Sequence, residues 1–341
     1  MDQFSAHLDR GWDLVQRGDP RGAELSARRA LELDADSPEA FNLLGYVAAL
    51  QGEFEDAVEH YQQAIALDDC YLEAMLNAAE ILIHPLGDFD AAERMCEDAL
   101  DLAESDDERV DALLLKFDSL LGRELFDAAK ELCERFPPGP YENPAHSFLV
   151  GRAFYEIGEV ALAVPLIEEA VRNNSRNADA FYYLALVFDE QGRAPEATRA
   201  FLQSRELDLE APKPPWAVST DVFFAAAKRA VEALDPELRK WVASEQLYVA
   251  DMPGVEVVLD GVDPRAVLLV DGLSPEDETG GDTPKPQSES DSQVRVIVYR
   301  RNLERMAGAI ELIEQEITDA LEHELRAHFS GEVEPLERPK G

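Results

Sequence analysis

Six histidines occur in the 341-residue chain, and only His323 and His328 share a predicted helix; His7, His60, His84 and His146 are scattered. The string around the pair is Leu321-Glu322-His323-Glu324-Leu325-Arg326-Ala327-His328-Phe329-Ser330-Gly331. Two imidazoles one helical turn apart can hold a zinc ion while a glutamate between them acts as general base on the bound water. A spacing of four leaves such side chains about 40° apart around the helix, whereas the spacing of five found here turns the second about 140° away. A regular helix therefore cannot aim both at one ion, and a π-bulge would be needed to swing them together. Glu324 and His328, four apart, form an alternative ligand pair, as do Asp319 and His323 on another face. The plain reading is a helix whose histidines are satisfied at the surface or in the core.

The element that must position these groups is a helix from about Ala309 to Phe329, periodic in Ile310, Ile313, Ile317 and Leu321 and preceded by a break near Gly308. Upstream, Gln246–Ala250, Glu256–Leu259, Ala266–Val270 and Val294–Tyr299 read as short strands rich in Val, Ile, Leu and Tyr. The stretch 274–292, loaded with Gly, Pro, Ser, Asp and Glu, reads as a disordered surface loop. Asp221 is expected to cap a helix from about Val222 to Leu234, and Asp235-Pro236-Glu237 to open another that carries Trp241. Arg300, Arg301 and Arg305 form the only basic cluster near the final helix. They are expected to offset Glu311, Glu314, Glu316, Glu322 and Glu324 on a solvated surface.

The order of these features resembles the minimal zincin-like metallopeptidases over about residues 225–334. It runs from Leu234-Asp235-Pro236-Glu237-Leu238 through a Val-rich and a Leu-rich strand to the block Val296-Ile297-Val298-Tyr299-Arg300-Arg301-Asn302-Leu303-Glu304-Arg305, then to the helix with His-Glu and His-Phe. The resemblance implies His323 as first zinc ligand and Glu324 as the catalytic general base. With one residue inserted, His328-x2-Gly331-x2-Glu334 restores the family's tail and gives the metal ligands His323, His328 and Glu334. Aligned without a gap, Ala327 occupies the second ligand position, which implies a degenerate, metal-free relative.

The first two hundred residues carry a repeat, Gly-x4-Ala-x3-aromatic-x2-Ala-x2-Leu. Gly52, Ala57, Tyr61, Ala64 and Leu67 are matched at Gly18, Ala23, Ala27, Ala30 and Leu33, at Gly87, Ala92, Cys96, Ala99 and Leu102, and at Gly192, Ala197, Phe201, Ser204 and Leu207. Weaker copies run through Ala129, Cys133 and Phe136 and through Gly158, Ala163, Ile167 and Ala170. Each unit is amphipathic with the stripe of two helices, as in Phe41, Leu44, Gly45 and Ala48. Over residues 4–208 this resembles the tetratricopeptide (TPR) repeat, six units long. The resemblance implies a solenoid whose first helices bind a peptide and places Trp12, Asn42, Tyr46, Glu80, Phe148, Arg152, Tyr155, Tyr182 and Asp189 near that face. Some of these aromatics have the alternative of packing between helices. The family's subtype that clamps a C-terminal carboxylate with paired Lys and Asn is disfavoured, since the first lysine is Lys116.

These readings assemble into an α plus (α+β) chain: a six-repeat TPR helical solenoid at 4–208, a Pro-rich linker at 209–220 marked by Ala211-Pro212-Lys213-Pro214-Pro215-Trp216, a small zincin-like α+β domain at 221–334, and a tail at 335–341. Proline's missing amide stops the last repeat helix there. With 31 Lys plus Arg against 71 Asp plus Glu the net charge is −40, which argues against a nucleic-acid partner and for a neutral or basic peptide or protein. No apolar run approaches the ~20 residues of a membrane span, and the Met1-Asp2 opening is not that of a signal segment, so a cytoplasmic protein is expected. Cys70, Cys96 and Cys133 have no metal-ligand spacing and are expected to be reduced core thiols. Two functions remain: a TPR-scaffolded zinc metallopeptidase-like protein whose HExxH is altered to HExxxH, or a non-catalytic interaction adaptor with a vestigial peptidase domain.

Overall fold

The computed structural model describes residues 2–271 and 294–330. The expected loop at 274–292, Gly331, Glu334 and the tail at 335–341 lie outside the described residues. By its contacts the chain divides into two compact units, Met1–Ser175 and Arg176–Gly341.

The first unit is a run of five helix pairs: α1 (Gln3–Gln16) with α2 (Pro20–Leu33), α3 (Pro38–Gln51) with α4 (Phe54–Leu67), α5 (Leu72–Ile83) with α6 (Phe89–Leu102), α7 (Asp106–Gly122) with α8 (Phe126–Cys133), and α9 (Pro144–Glu156) with α10 (Val160–Asn173). Asp19, Ser37, Asp88, Ser105 and Asn143 each accept a hydrogen bond from a first-turn amide, satisfying donors that a helix start leaves open. Gly52 ends α3 in the left-handed region at φ 79°. Gly45 permits the close approach of α4, because a Cβ there would stand 2.6 Å from ring carbons of Tyr61. The repeat alanines Ala23, Ala57, Ala92, Ala129 and Ala163 are fully buried between helices. Cys96 and Cys133 take the large repeat position and are buried, and burial pushes each thiol up to about 12; Cys70, by contrast, is exposed. The first helices α1, α3, α5, α7 and α9 are consecutive neighbours.

The second unit opens with a sixth pair, α11 (Ala178–Glu190) and α12 (Ala194–Glu210). After the proline-rich stretch come α13 (Thr220–Ala233), α14 (Pro236–Arg239), β1 (Val242–Ala250), α15 (Val255–Leu259), β2 (Leu268–Asp271), β3 (Val294–Tyr299), α16 (Arg300–Ala307), a 3₁₀ turn at Ile310–Leu312, and α17 (Ile313–Ser330). The sheet order is β1-β3-β2; β1 runs parallel to β3 with Leu247 opposite Val296, and β2 runs antiparallel with Leu268 opposite Val298. Val294, Val296 and Val298 share one face of the central strand by its period of two. They join Phe223, Ala227 and Ala230 of α13 and Ile317, Leu321 and Leu325 of α17 in one core.

Four local expectations are corrected; the first is that α14 ends at Arg239, so Trp241 falls in the turn before β1 and not on the helix. Ser219 rather than Asp221 caps α13, accepting from the Val222 amide, while Asp221 stands in the first turn where its charge suits the positive end of the helix. Glu256–Leu259 lies in the single-turn helix α15 instead of a strand; a short apolar run has no period to distinguish the two, and here Val258 is buried in an element that packs on α12. Ile310, read as the first residue of the final helix stripe, is 40% exposed in the 3₁₀ turn, since Gly308 ends α16 at φ 67° and α17 starts only at Ile313.

Candidate functional site

The exposed side of the first helices in the first unit carries an aromatic pair and an ionic chain. Trp12 of α1 and Tyr46 of α3 meet edge to face, ring centroids 5.4 Å apart, and Tyr46 keeps 37% of its surface exposed. Arg152 of α9 donates to Asp118 of α7 at 3.0 Å, and His84 lies 3.8 Å from the other oxygen of the same carboxylate. Burial raises the Asp118 carboxyl above its ordinary value, opposed by the charges of Arg152 and His84. Trp12, Tyr46, Asp118 and Arg152 stand at the same place in their repeats relative to Ala23, Ala57, Ala129 and Ala163, so repeat geometry sets them in register along the helix row. Glu80 of α5 is exposed nearby in sequence order.

Four of the expected peptide contacts are committed elsewhere. Asn42 is fully buried; its amide donates to Glu73 at 3.2 Å and its carbonyl accepts from Asn77 at 3.1 Å, tying successive repeats together. Phe148 and Tyr155 are buried, as a helix packed on both neighbours requires of its large side chains. Tyr182 faces the chain's own C-terminal region. Its hydroxyl donates to Asp263 at 2.6 Å, and the Arg265 guanidinium lies 4.4 Å from its ring centroid. Asp189 is exposed on α11.

Arg265 organises this junction inside the second unit. Its guanidinium stands 2.6 Å from Asp179 of α11 and 2.9 Å from Asp208 of α12, with only 12% of the side chain exposed. Burial alone would lower the pKa of this guanidinium, and the charges of Asp208 and Asp179 outweigh it and raise it. Arg301 donates to the backbone carbonyls of Asp208 and Ala211, Arg305 reaches Asp208 at 3.3 Å, and Arg300 is buried against Asp251 at 2.6 Å. The expectation that these arginines offset the acidic residues of the last helix is therefore corrected: they fasten α12 and the β1–α15 turn. Arg229 of α13, instead, pairs with Glu314 at 2.7 Å. The sequence signal for this junction was the clustering of arginines in a chain poor in base, but Asp208 and Asp179 lie in a repeat and gave no local sign of their partners.

The final helix does not fit a zinc site of the HExxH kind. It is α-helical throughout Ile313–Ser330, with no π-turn to absorb the inserted residue. Positions 323 and 328 therefore project about 140° apart. Leu321 and Leu325 turn into the core, and His323 and Glu324 are half-buried beside them. The ring of His328 and the whole of Glu334 lie outside the described residues. Among the described residues the one cluster of three His, Cys, Asp or Glu side chains close enough to share an ion is the exposed Asp68, Asp69 and Cys70, and it contains no histidine.

Family models of the tetratricopeptide repeat match residues 8–69 and 148–208, and a second such model matches 74–110. Those stretches of the helical array are thus tetratricopeptide repeats. Among solved structures the chain is similar to PilF of Pseudomonas aeruginosa, at 20% identity and a TM-score of 0.52 over 61% of this chain and 93% of that one. It is also similar to PilW, a type IV pilus biogenesis factor, at 16% identity and a TM-score of 0.51 over 61% and 94%. Likeness at these identities speaks for the fold of the helical array alone. No curated protein matches the chain in sequence. Among the described residues no helix is long and apolar enough to cross a membrane.

Proposed function

We propose that this protein is an interaction scaffold whose first five repeats bind an extended, basic segment of a protein partner, and whose C-terminal α+β domain contributes no metal-dependent hydrolysis. The observation that carries the reading is the half-open Trp12–Tyr46 pair on a row of adjacent first helices in a chain of net charge −40. Rigid aromatic side chains supply contact area at little entropic cost, and an acidic field speeds and selects a cationic partner. The metallopeptidase reading rests on the sequence block around His323 and Glu324, and the regular winding of α17 counts against a shared ion for positions 323 and 328.

An array of basic, neutral and acidic 12-residue peptides probed with the full chain tests the proposal. Basic peptides are expected to bind, with binding reduced at least tenfold in the Trp12→Ala, Tyr46→Ala double variant and weakened by salt. Equal binding of acidic peptides, or indifference to the double substitution, refutes it.

A further inference from the structure

A cavity of about 330 Å³ lies within the second unit, between the proline-rich stretch and α16. Its walls include Pro214, Trp216 and Met252 on the apolar side and Lys213, Arg301, Glu304 and Arg305 on the charged side. Its size falls at the lower end of small-molecule sites, which run from about 300 to 1,000 Å³.

Two buried groups in this wall lack hydrogen-bond partners, and they are of opposite kinds. Glu304 is only 1% exposed, and neither of its carboxylate oxygens receives a hydrogen bond. The Nε–H of Arg301 is buried and has no acceptor, although its Nη1 is held by the carbonyls of Asp208 and Ala211. A buried polar group left unsatisfied costs about 1–3 kcal/mol, more when charged. Both groups are shut off from solvent, so a ligand reaches them by displacing the side chains that cover them and on arrival recovers that cost. Asp208, the other acid in the wall, is already engaged by Arg265 and Arg305. Lys213 is exposed and makes no ion pair among the described residues.

We infer that this cavity binds a free α-amino acid with an apolar side chain: its ammonium donates to Glu304, its carboxylate accepts from Arg301 Nε and faces Lys213, and its side chain lies against Trp216, Met252 and Pro214. A cation alone would leave the arginine unsatisfied, and an anion alone would be repelled by Glu304. Burial raises the Glu304 carboxyl above its ordinary range, opposed by Arg300 and Lys213, and an ammonium ligand would bring it down again. The inference stands apart from the peptide-binding proposal, since no residue of the first unit takes part.

Isothermal titration of the full chain near pH 7 with L-leucine, L-methionine and L-phenylalanine tests it. At least one is expected to saturate at one per chain. For leucine, 3-methylbutylamine, which lacks the carboxylate, and 4-methylpentanoate, which lacks the ammonium, are each expected to bind at least tenfold more weakly; the corresponding deletions apply to the other two. Glu304→Gln should weaken the amino acid at least tenfold while its circular dichroism matches the parent and it melts no lower than the parent. Failure of all three amino acids to saturate, equal binding of an amine-only or acid-only analogue, or undiminished binding by the folded Glu304→Gln variant overturns the inference.

Discussion

Replacing Arg265 by alanine should loosen the C-terminal domain from the sixth repeat and lower the stability of the second unit by about 2–4 kcal/mol. Removing one partner of a buried ion pair costs about 3–5 kcal/mol, because the other charge stays desolvated. Two features discount that figure. Asp208 is 14% exposed and retains Arg305 at 3.3 Å, and Asp179 is 58% exposed, so that water takes over its screening. Loss of the stack on Tyr182 adds about 1 kcal/mol. Of the three tryptophans only Trp12 belongs to the first unit, so a Trp12→Phe background lets Trp216 and Trp241 report urea unfolding of the second unit by fluorescence. A double-mutant cycle of Arg265→Ala with Asp208→Ala should return a coupling of at least about 1 kcal/mol, as expected for groups that touch. A cost below about 0.5 kcal/mol, the range of ordinary surface substitutions, or a coupling near zero would show that the junction is held by something else.

Gly45→Ala, which forces a methyl into the Tyr61 ring, should cost about 1–3 kcal/mol by overpacking, read from the chemical melting of the first unit. Asn42→Leu should destabilise the same unit by about 1–3 kcal/mol because Glu73 and Asn77 lose their partner; a neutral result would show that the buried amide is dispensable. Glu304 has a raised folded pKa, so the native state holds its proton more tightly and this group's contribution falls as pH rises from the ordinary value near 4.5 through the raised one. Glu304→Gln should accordingly gain stability relative to the parent at pH 7 compared with pH 4, measured by thermal unfolding at both; the opposite trend contradicts the assignment. Elemental analysis of purified protein should find far less than one zinc per chain, with His323→Ala making no difference; stoichiometric zinc lost on that substitution would revive the hydrolase reading.

The repeats were legible because their signal is redundant. The same small residue returns at Ala23, Ala57, Ala92, Ala129, Ala163 and Ala197 and is buried every time between paired helices. Periodicity likewise located α17, with Ile313, Ile317, Leu321 and Leu325 buried in one stripe. What could not be read was the use of individual side chains. Asn42 and Phe148 occupy groove-facing stations in the repeat pattern, yet whether such a station opens to solvent depends on what the neighbouring repeat supplies across it. The partner of Arg265 lies 57 residues away, a separation no local rule spans. The short run Val255-Glu256-Val257-Val258-Leu259 failed for another reason, since its helix is selected by packing on α12 rather than by propensity.

The clasp around Arg265 also bears on how such a chain can change length over evolutionary time. Arrays of stacked units lengthen by copying a module, and the newcomer needs an unoccupied flank on which to lie. Here Asp179, Tyr182 and Asp208 of the last module are all engaged by downstream sequence. A copy inserted after position 210 would inherit that attachment and strip it from its predecessor, so growth that preserves the clasp must come from the opposite end.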